Sequence, residues 1–463
     1  MPLSRRHFLS GLSALTLGAV GAGLAGPGRA ASLVLEARET SARILSQPTR
    51  GLMSYADGAM PPVLRLRQGA PTRIAFRNSL AEASTVHWHG IRAPIEMDGV
   101  PFVTQLPVQP GQGFDYAFTP PDAGTFWYHP HCNTFEQLQK GLNGIVVVEE
   151  ASDPGFDADL PVLLRDFRLD EAGQFTTLST PRNAARGGTL GTVMTANWQV
   201  DPALSVPTAG LVRLRLANTD VTRVHALYLP GATGAVLALD GHPVEVAHVF
   251  PDSAERALLL APGQRADLAV LAPPGEGLGL EVMTARRAGD RRLCRLVAAG
   301  ASLTRRLADI PVLPANPLTP LQLDGAEKLD FVFGWSPAGT AEGGSDICGE
   351  TGVRFWSINR VAAAADGAPS RPLASLRLGR SYILSLRNET QNDHPIHLHG
   401  LAFRLLRSNK RPLLPQWTDT ALLRAGETIE VGLVADNPGE WVFHCHVIEH
   451  QKTGLAGSLY VGA

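Results

Sequence analysis

The sequence predicts an all-β protein of three consecutive Greek-key β-sandwich or barrel domains, and three observations carry that prediction. Glycine (47) and proline (35) are plentiful in 463 residues, while long helical periodicity is scarce. Short alternating runs of polar and apolar residues lie between Gly, Pro, Asn and Asp turns. The chain also repeats itself. The first copy runs through Leu64–Gly69 and Ile74–Asn78 to His87-Trp-His-Gly90. Another runs through Leu376–Gly379 and Leu384–Asn388 to His397-Leu-His-Gly400, and in both the Asn-to-His interval is nine residues.

A middle copy, Leu211–Asn218, leads to His225–Gly231, where Tyr228 and Pro230 stand in place of His397 and His399. The second halves match as well. Gly111 lies 18 residues before His129, and Gly426 lies 18 before His444. Gly263 opens the middle version, with Glu281 at the histidine position. Boundaries fall near Ser152–Pro161 and in the proline-rich run Pro311–Pro320, giving domains at 31–152, 153–310 and 311–463. The Gly-rich loop Ser336–Gly352 reads as exposed.

Hydrophobic residues at 44% and charged residues at 18% supply material for several cores. Ser4-Arg-Arg-His-Phe-Leu9 is a twin-arginine signal, followed by a weakly apolar Gly/Ala-rich stretch to Gly28 and small residues Ala30 and Ala31. Residues 1–30 are therefore read as a signal for the twin-arginine export machinery, with a periplasmic or secreted destination. The stretch is too short and Gly-rich for a stable membrane anchor. Without Arg5, Arg6 and Arg29 the formal charge moves from −2 to −5. That mild acidity gives no reason to expect nucleic acid. A monomer is the expectation. Of the four cysteines, Cys294 and Cys348 are a candidate disulfide, Cys132 reads as a small filler, and Cys445 reads as a metal ligand.

The segment His444-Cys-His-Val-Ile-Glu-His450 carries the chemistry. On an extended backbone, neighbouring side chains face opposite ways. His444 and His446 then look one way and Cys445 the other, so one segment can serve two metal centres. Ten of the fourteen histidines lie in four motifs: His87-Trp-His89, His129-Pro-His131, His394-Pro-Ile-His397-Leu-His399, and His444-Cys-His446 with His450. His225, His242 and His248 in the middle copy read as structural or surface residues. A thiolate with two imidazoles in a trigonal site points to blue copper. Cys445, His394 and His450 supply those groups. The other eight histidines form four same-face pairs, too many for one ion. They predict a cluster shared between the first and third domains.

With these motifs the chain resembles three-domain multicopper oxidases of the bacterial laccase-like group. The resemblance covers residues 31–463 and extends to Gln416–Thr420 and Ala425–Thr428. It implies cupredoxin-like domains and four copper ions. A type 1 copper would be held by His394, Cys445 and His450, and a type 2 copper by His87 and His397. A type 3 pair would sit on His89, His129 and His446, and on His131, His399 and His444. It also implies that single electrons enter at type 1 and that O2 is reduced to water at the other three ions. The family's axial position falls at Leu455, which has no lone pair and should leave a high-potential copper. Asp98 matches an acidic position of the family and is a candidate proton donor, although a turn residue would look the same. Gln451 stands where bacterial relatives often carry glutamate, which puts that proton relay in doubt. Trp88 and Trp127 read as packing residues.

No methionine follows Met283, so soft ligands for Cu(I) are missing near the type 1 site. Phenols and aromatic amines are accordingly favoured as reductants over metal ions, with a Cu(I) oxidase for copper tolerance as the alternative. A copper-free structural relative would lack ligands. A nitrite reductase or an electron-carrier module would not need eight cluster histidines.

Overall fold

The computed structural model describes residues 32–56, 62–337, 348, 353–363 and 371–463. The signal reading of residues 1–30 lies outside that range, as does most of the loop read at Ser336–Gly352. The rest is a nearly all-β chain of six sheets. In the first pair, one sheet orders Thr49–Ser54, Ser32–Ala42, Thr72–Asn78 and Gly113–Phe118. Its mate orders Leu64–Arg67, Gly144–Glu149, Gly124–His129 and His87–His89. The second and third pairs each combine a six-stranded with a five-stranded sheet.

The three pairs share one wiring. In each, the opening strand pairs in parallel with a later one: Ser32–Ala42 with Thr72–Asn78, Ala158–Phe167 with Leu211–Asn218, and Glu327–Trp335 with Ser381–Asn388. In each, the mate sheet has its own parallel pair, the third being Ala374–Arg377 with Ala456–Gly462. Neighbours that are not consecutive in sequence make these Greek-key sandwiches rather than hairpin ladders.

Alternation explains the outer strands. Leu64–Arg67 buries its leucines and exposes its arginines. In the middle unit the strand Leu211–Asn218, the counterpart of Thr72–Asn78, is buried on both faces. Its Arg213 and Arg215 point toward the first pair of sheets. Arg213 pairs with Glu150 at 2.6 Å and Asp267 at 2.7 Å, and Arg215 donates to Thr125 Oγ1 at 2.9 Å. The middle unit is thus a wedge against its neighbours. Among the described residues no helix is long and apolar enough to cross a membrane.

The cysteine expectation is corrected here. Cys132 and Cys348 form a disulfide across 216 residues, and Cys294 is free. Cys294 is enclosed in the core of the second unit, where burial pushes its thiol up to about 12. Cys348 lies beside Cys132 and Ala83, and its carbonyl accepts from the Asn133 N–H at 3.1 Å. Cys132 is therefore a cross-link and not a filler.

Candidate metal centres

Two strands of the first unit and two of the third, with the residues just past their ends and the short helix Ile448–Lys452, carry the histidines. In the first, His87 pairs across the ladder with His129; in the third, His397 pairs with His444 and Ile396 with Cys445. The period of two then does what the sequence predicts. Cys445 falls into the apolar core of the third unit, while His444 and His446 face the first unit. Leu455 is in that same core, its N–H donating to the His450 carbonyl at 2.9 Å and its carbonyl accepting from Cys445 N–H at 3.0 Å.

His394, Cys445 and His450 come together, all fully buried. The two Nδ1 atoms are 3.0 Å apart, and each is 3.5 Å from Cys445 Sγ. A point about 1.9 Å from all three corners lies inside this triangle, close to the about 2.0–2.3 Å at which nitrogen and sulfur hold a divalent ion. The outer nitrogens are engaged. His450 Nε2 donates to the Arg186 carbonyl at 2.5 Å, and His394 Nε2 lies 2.9 Å from Thr390 Oγ1. A carbonyl can only accept, so the His450 proton sits on Nε2 and its Nδ1 is a bare lone pair.

The second constellation gathers the other eight histidines. The groups within reach of one ion are His87, His89 and His397; His89, His129 and His446; His131, His399 and His444; and, with a carboxylate, His87, Asp98 and His399. Here too the rear nitrogens are fixed. His87 Nδ1 donates to the Asp98 carbonyl, His397 Nδ1 to that of Asp419, His129 Nδ1 to that of Pro130 and His444 Nδ1 to that of Cys445, each at 2.9 Å. His399 Nδ1 is 2.8 Å from Asp98 Oδ2. The front nitrogens then face one another bare: His399 Nε2 and His444 Nε2 at 3.1 Å, and His87 Nε2 and His397 Nε2 at 3.5 Å. Opposed lone pairs at these distances repel unless a cation lies between them. Moreover, His89 Nδ1, His129 Nε2 and both nitrogens of His446 are buried with no hydrogen-bond partner. Unpaired buried polar atoms are expensive, and metal ligation satisfies them. Burial, the largest cause, disfavours the imidazolium at His89, His129, His131, His394, His397, His399 and His446, and pushes His444 down to about 3 and His450 to about 4. Neutral imidazole is the ligating form. Soft thiolate with imidazole, and imidazole alone, are both copper donor sets. The residues fit the metal.

Asp98 is buried at the cluster, its Oδ1 3.1 Å from His87 Nδ1 and its Oδ2 2.8 Å from His399 Nδ1. It also closes the short 3-10 turn Ile95–Met97, so the turn and cluster readings describe the same residue. Gln451 Nε2 lies 3.3 Å from His131 Nε2, which places a neutral amide at that edge of the cluster. Trp88 packs in the first core, and Trp127 walls the cluster with its ring 4.4 Å from that of His129. His225 pairs with Asp220 at 2.7 Å, and His242 accepts from Asn316; both are structural.

Asp419 and Arg265 have a part that the motifs do not disclose. Asp419 Oδ1 accepts from His89 Nε2 at 3.0 Å, which leaves His89 Nδ1 to face the cluster. Burial, the largest single influence, would raise the Asp419 pKa; the Arg265 guanidinium together with the His89 and His397 rings outweighs it and holds the carboxyl well below its usual range. The two make a double contact at 2.9 and 2.6 Å. The signals were present in Gln416–Thr420 and Ala261–Asp267, but 154 residues separate the partners. Gly263, at φ +91°, lets this middle-unit turn approach; a Cβ there would lie 2.9 Å from the His89 ring.

Comparison with known proteins agrees with this geometry. Family models described as multicopper oxidase match residues 36–153 and 348–463. A solved multi-copper oxidase from Pseudomonas thermotolerans is 41% identical, superposes with a TM-score of 0.83, and covers 94% of this chain and 99% of its own. Multicopper oxidase MmcO of Mycobacterium tuberculosis is 28% identical over 91% of this chain and 87% of its own, and Laccase-2 of Fomitopsis schrenkii is 26% identical over 82% and 79%. The chain belongs to the multicopper oxidase family. It is accordingly a copper-dependent oxidoreductase of cupredoxin fold that uses oxygen as acceptor.

Proposed function

We propose that the protein is a laccase-like oxidase that takes single electrons from phenols or aromatic amines and passes them to O2. In this reading His394, Cys445 and His450 hold one type 1 copper, with Leu455 as a non-coordinating axial residue. His87 and His397 hold a type 2 copper, and the triads His89–His129–His446 and His131–His399–His444 hold a type 3 pair. Copper bound at these sites supplies one-electron acceptance at the thiolate and four-electron reduction of O2 to two waters at the histidine cluster.

The observation that carries the reading is the segment His444-Cys-His446. Its middle residue belongs to one ligand triangle and its neighbours to the other, so a single stretch of backbone joins the centres covalently. The carbonyl of Cys445 additionally accepts from His444 Nδ1 at 2.9 Å. The protein's remaining work is to hold ring tautomers, exclude water and move protons. Asp98 and Asp419 fix histidine orientation, and Asp98 delivers protons to the cluster. The sheet pairs support units at 31–152, 153–310 and 311–463, the outer two holding ligands. The twin-arginine sequence supports export of the folded, copper-loaded chain to the periplasm or beyond, as a monomer.

Phenols are favoured over metal ions because no methionine follows Met283, and the type 1 triangle is wrapped in aromatic and aliphatic side chains. Oxygen uptake by copper-loaded protein with 2,6-dimethoxyphenol and with Cu(I), at matched concentrations, tests this. Faster uptake with the phenol is expected. Faster uptake with Cu(I) would assign the protein to metal-ion oxidation instead.

A further inference from the structure

The ligand triangle of His394, Cys445 and His450 has no exposed edge. All three residues are fully buried. A strap from the middle unit closes over them. The Trp356 indole N–H donates to the Ala184 carbonyl at 2.8 Å, and His450 Nε2 donates to that of Arg186. The strap is tied down by Glu449, which accepts from Thr189 Oγ1 at 2.9 Å and also from Ser179 Oγ and the Thr189 N–H. A reductant larger than a few atoms does not touch either histidine while this strap is in place.

One aromatic column does reach the surface. Trp335 and Trp356 are cross-strand partners at the end of the strand Glu327–Trp335. Their rings are stacked, 4.3 Å between centroids and 18° between planes. Trp356 is fully buried, and its ring lies 4.7 Å from that of His450 and 5.2 Å from that of His394. Trp335 is 52% exposed. Phe102 and Tyr460 are the other large aromatics exposed among the described residues, and neither stacks on a ring that touches the triangle. Exposing half an indole forfeits hydrophobic stabilisation, and an aliphatic side chain would cover Trp356 as well. The exposed face is matched to a flat aromatic partner.

We propose that Trp335 is the docking face for the aromatic reductant and that the Trp335–Trp356 stack carries its electron to the type 1 site. This rests on the phenol-oxidase reading above and adds where the substrate sits. A phenol stacked on Trp335 loses one electron through the stack and one proton to solvent water, leaving an aryloxyl radical. The electron reduces the type 1 centre by one equivalent. Four phenols so oxidised supply the four electrons that, with four protons, convert one O2 to two waters.

The test uses copper-loaded enzyme and two readouts. The first is the anaerobic bleaching rate of the blue absorption by 2,6-dimethoxyphenol. The second is calorimetric binding of 3,4,5-trimethoxybenzyl alcohol, a methylated, non-reducing analogue. Trp335→Ala is expected to slow bleaching at least tenfold and to weaken analogue binding at least fivefold, with the blue band unmoved. Trp335→Tyr, which keeps an aromatic face, is expected to retain the rate within about threefold. Bleaching of Trp335→Ala at the wild-type rate overturns the proposal and leaves the phenol-oxidase reading standing. So does a tyrosine variant as slow as the alanine one. A displaced blue band in Trp335→Ala would make Trp335 a prop of the metal site and also overturns it. A wild-type enzyme that the phenol does not bleach overturns both readings.

Discussion

Single residues divide the labour at the histidine cluster. Asp98 bridges His87 and His399 with its two carboxylate oxygens, 3.1 and 2.8 Å away. An amide in its place keeps one acceptor and turns the other into a donor that opposes a ring N–H. Asp98→Asn is expected to slow turnover about a hundredfold, the lower range for losing a positioned proton-transfer group, while the blue band stays as in wild type. Steady-state oxygen uptake alongside the visible spectrum checks this, and unchanged turnover would remove Asp98 from proton delivery. At this scale the sequence was most legible. Histidine spacing follows the period of the strand, so His87, His89, His397 and His399 declare their face without tertiary information. Asp419 was not legible in the same way, because its role depends on Arg265 in another unit.

Elements carry the connections that the sequence hides. Strand repeats and their turns follow from alternation and from Gly and Asn positions, and the parallel pairings recur in all three units. Disulfide pairing has no such local signal. Cys132 follows directly after the histidine motif His129–His131, and its partner lies 216 residues away in the third unit. The bond therefore ties the strand end that presents His131 to the other half of the cluster. Cys132→Ser is expected to lower unfolding stability by about 2–4 kcal/mol, the usual range for loss of a native disulfide. Denaturant titration of the copper-loaded proteins measures it, and equal midpoints for variant and wild type would contradict a stabilising cross-link. The exposed Trp335 beside buried Trp356 is likewise invisible in sequence, since register alone sets them opposite each other.

For the whole molecule, packing ten histidines inside makes folding sensitive to acid when copper is absent. Burial, as the largest cause, holds nine of them below the ordinary 6.5: His89, His129, His131, His394, His397, His399, His444, His446 and His450. Each is neutral when folded and free to protonate when unfolded. Its contribution is therefore present above pH 6.5 and is lost as pH falls toward the folded values, about 4 for His450 and about 3 for His444. Asp166 and Asp240 act the other way. Burial raises both to about 7, so they favour the folded state as pH falls from 7 toward 3.8. Burial also raises Glu82 and Glu449, and the nine histidines outnumber these four carboxyls. Copper-free protein is expected to melt at a lower temperature at pH 5 than at pH 7.5, and copper is expected to narrow the difference by competing with protons for the same nitrogens. Melting scans at both pH values check this; a copper-free protein equally stable at both would contradict it.

The account turns on one segment serving two metal centres from opposite faces, and Cys445→Ser tests that most directly. Copper content and the visible spectrum would be measured on the reconstituted variant beside wild type. The account predicts four ions and a blue band in wild type, and three ions with no blue band and no oxygen uptake in the variant. A variant that keeps the blue band, or one that loses the histidine-cluster copper together with the type 1 ion while remaining folded, would contradict it.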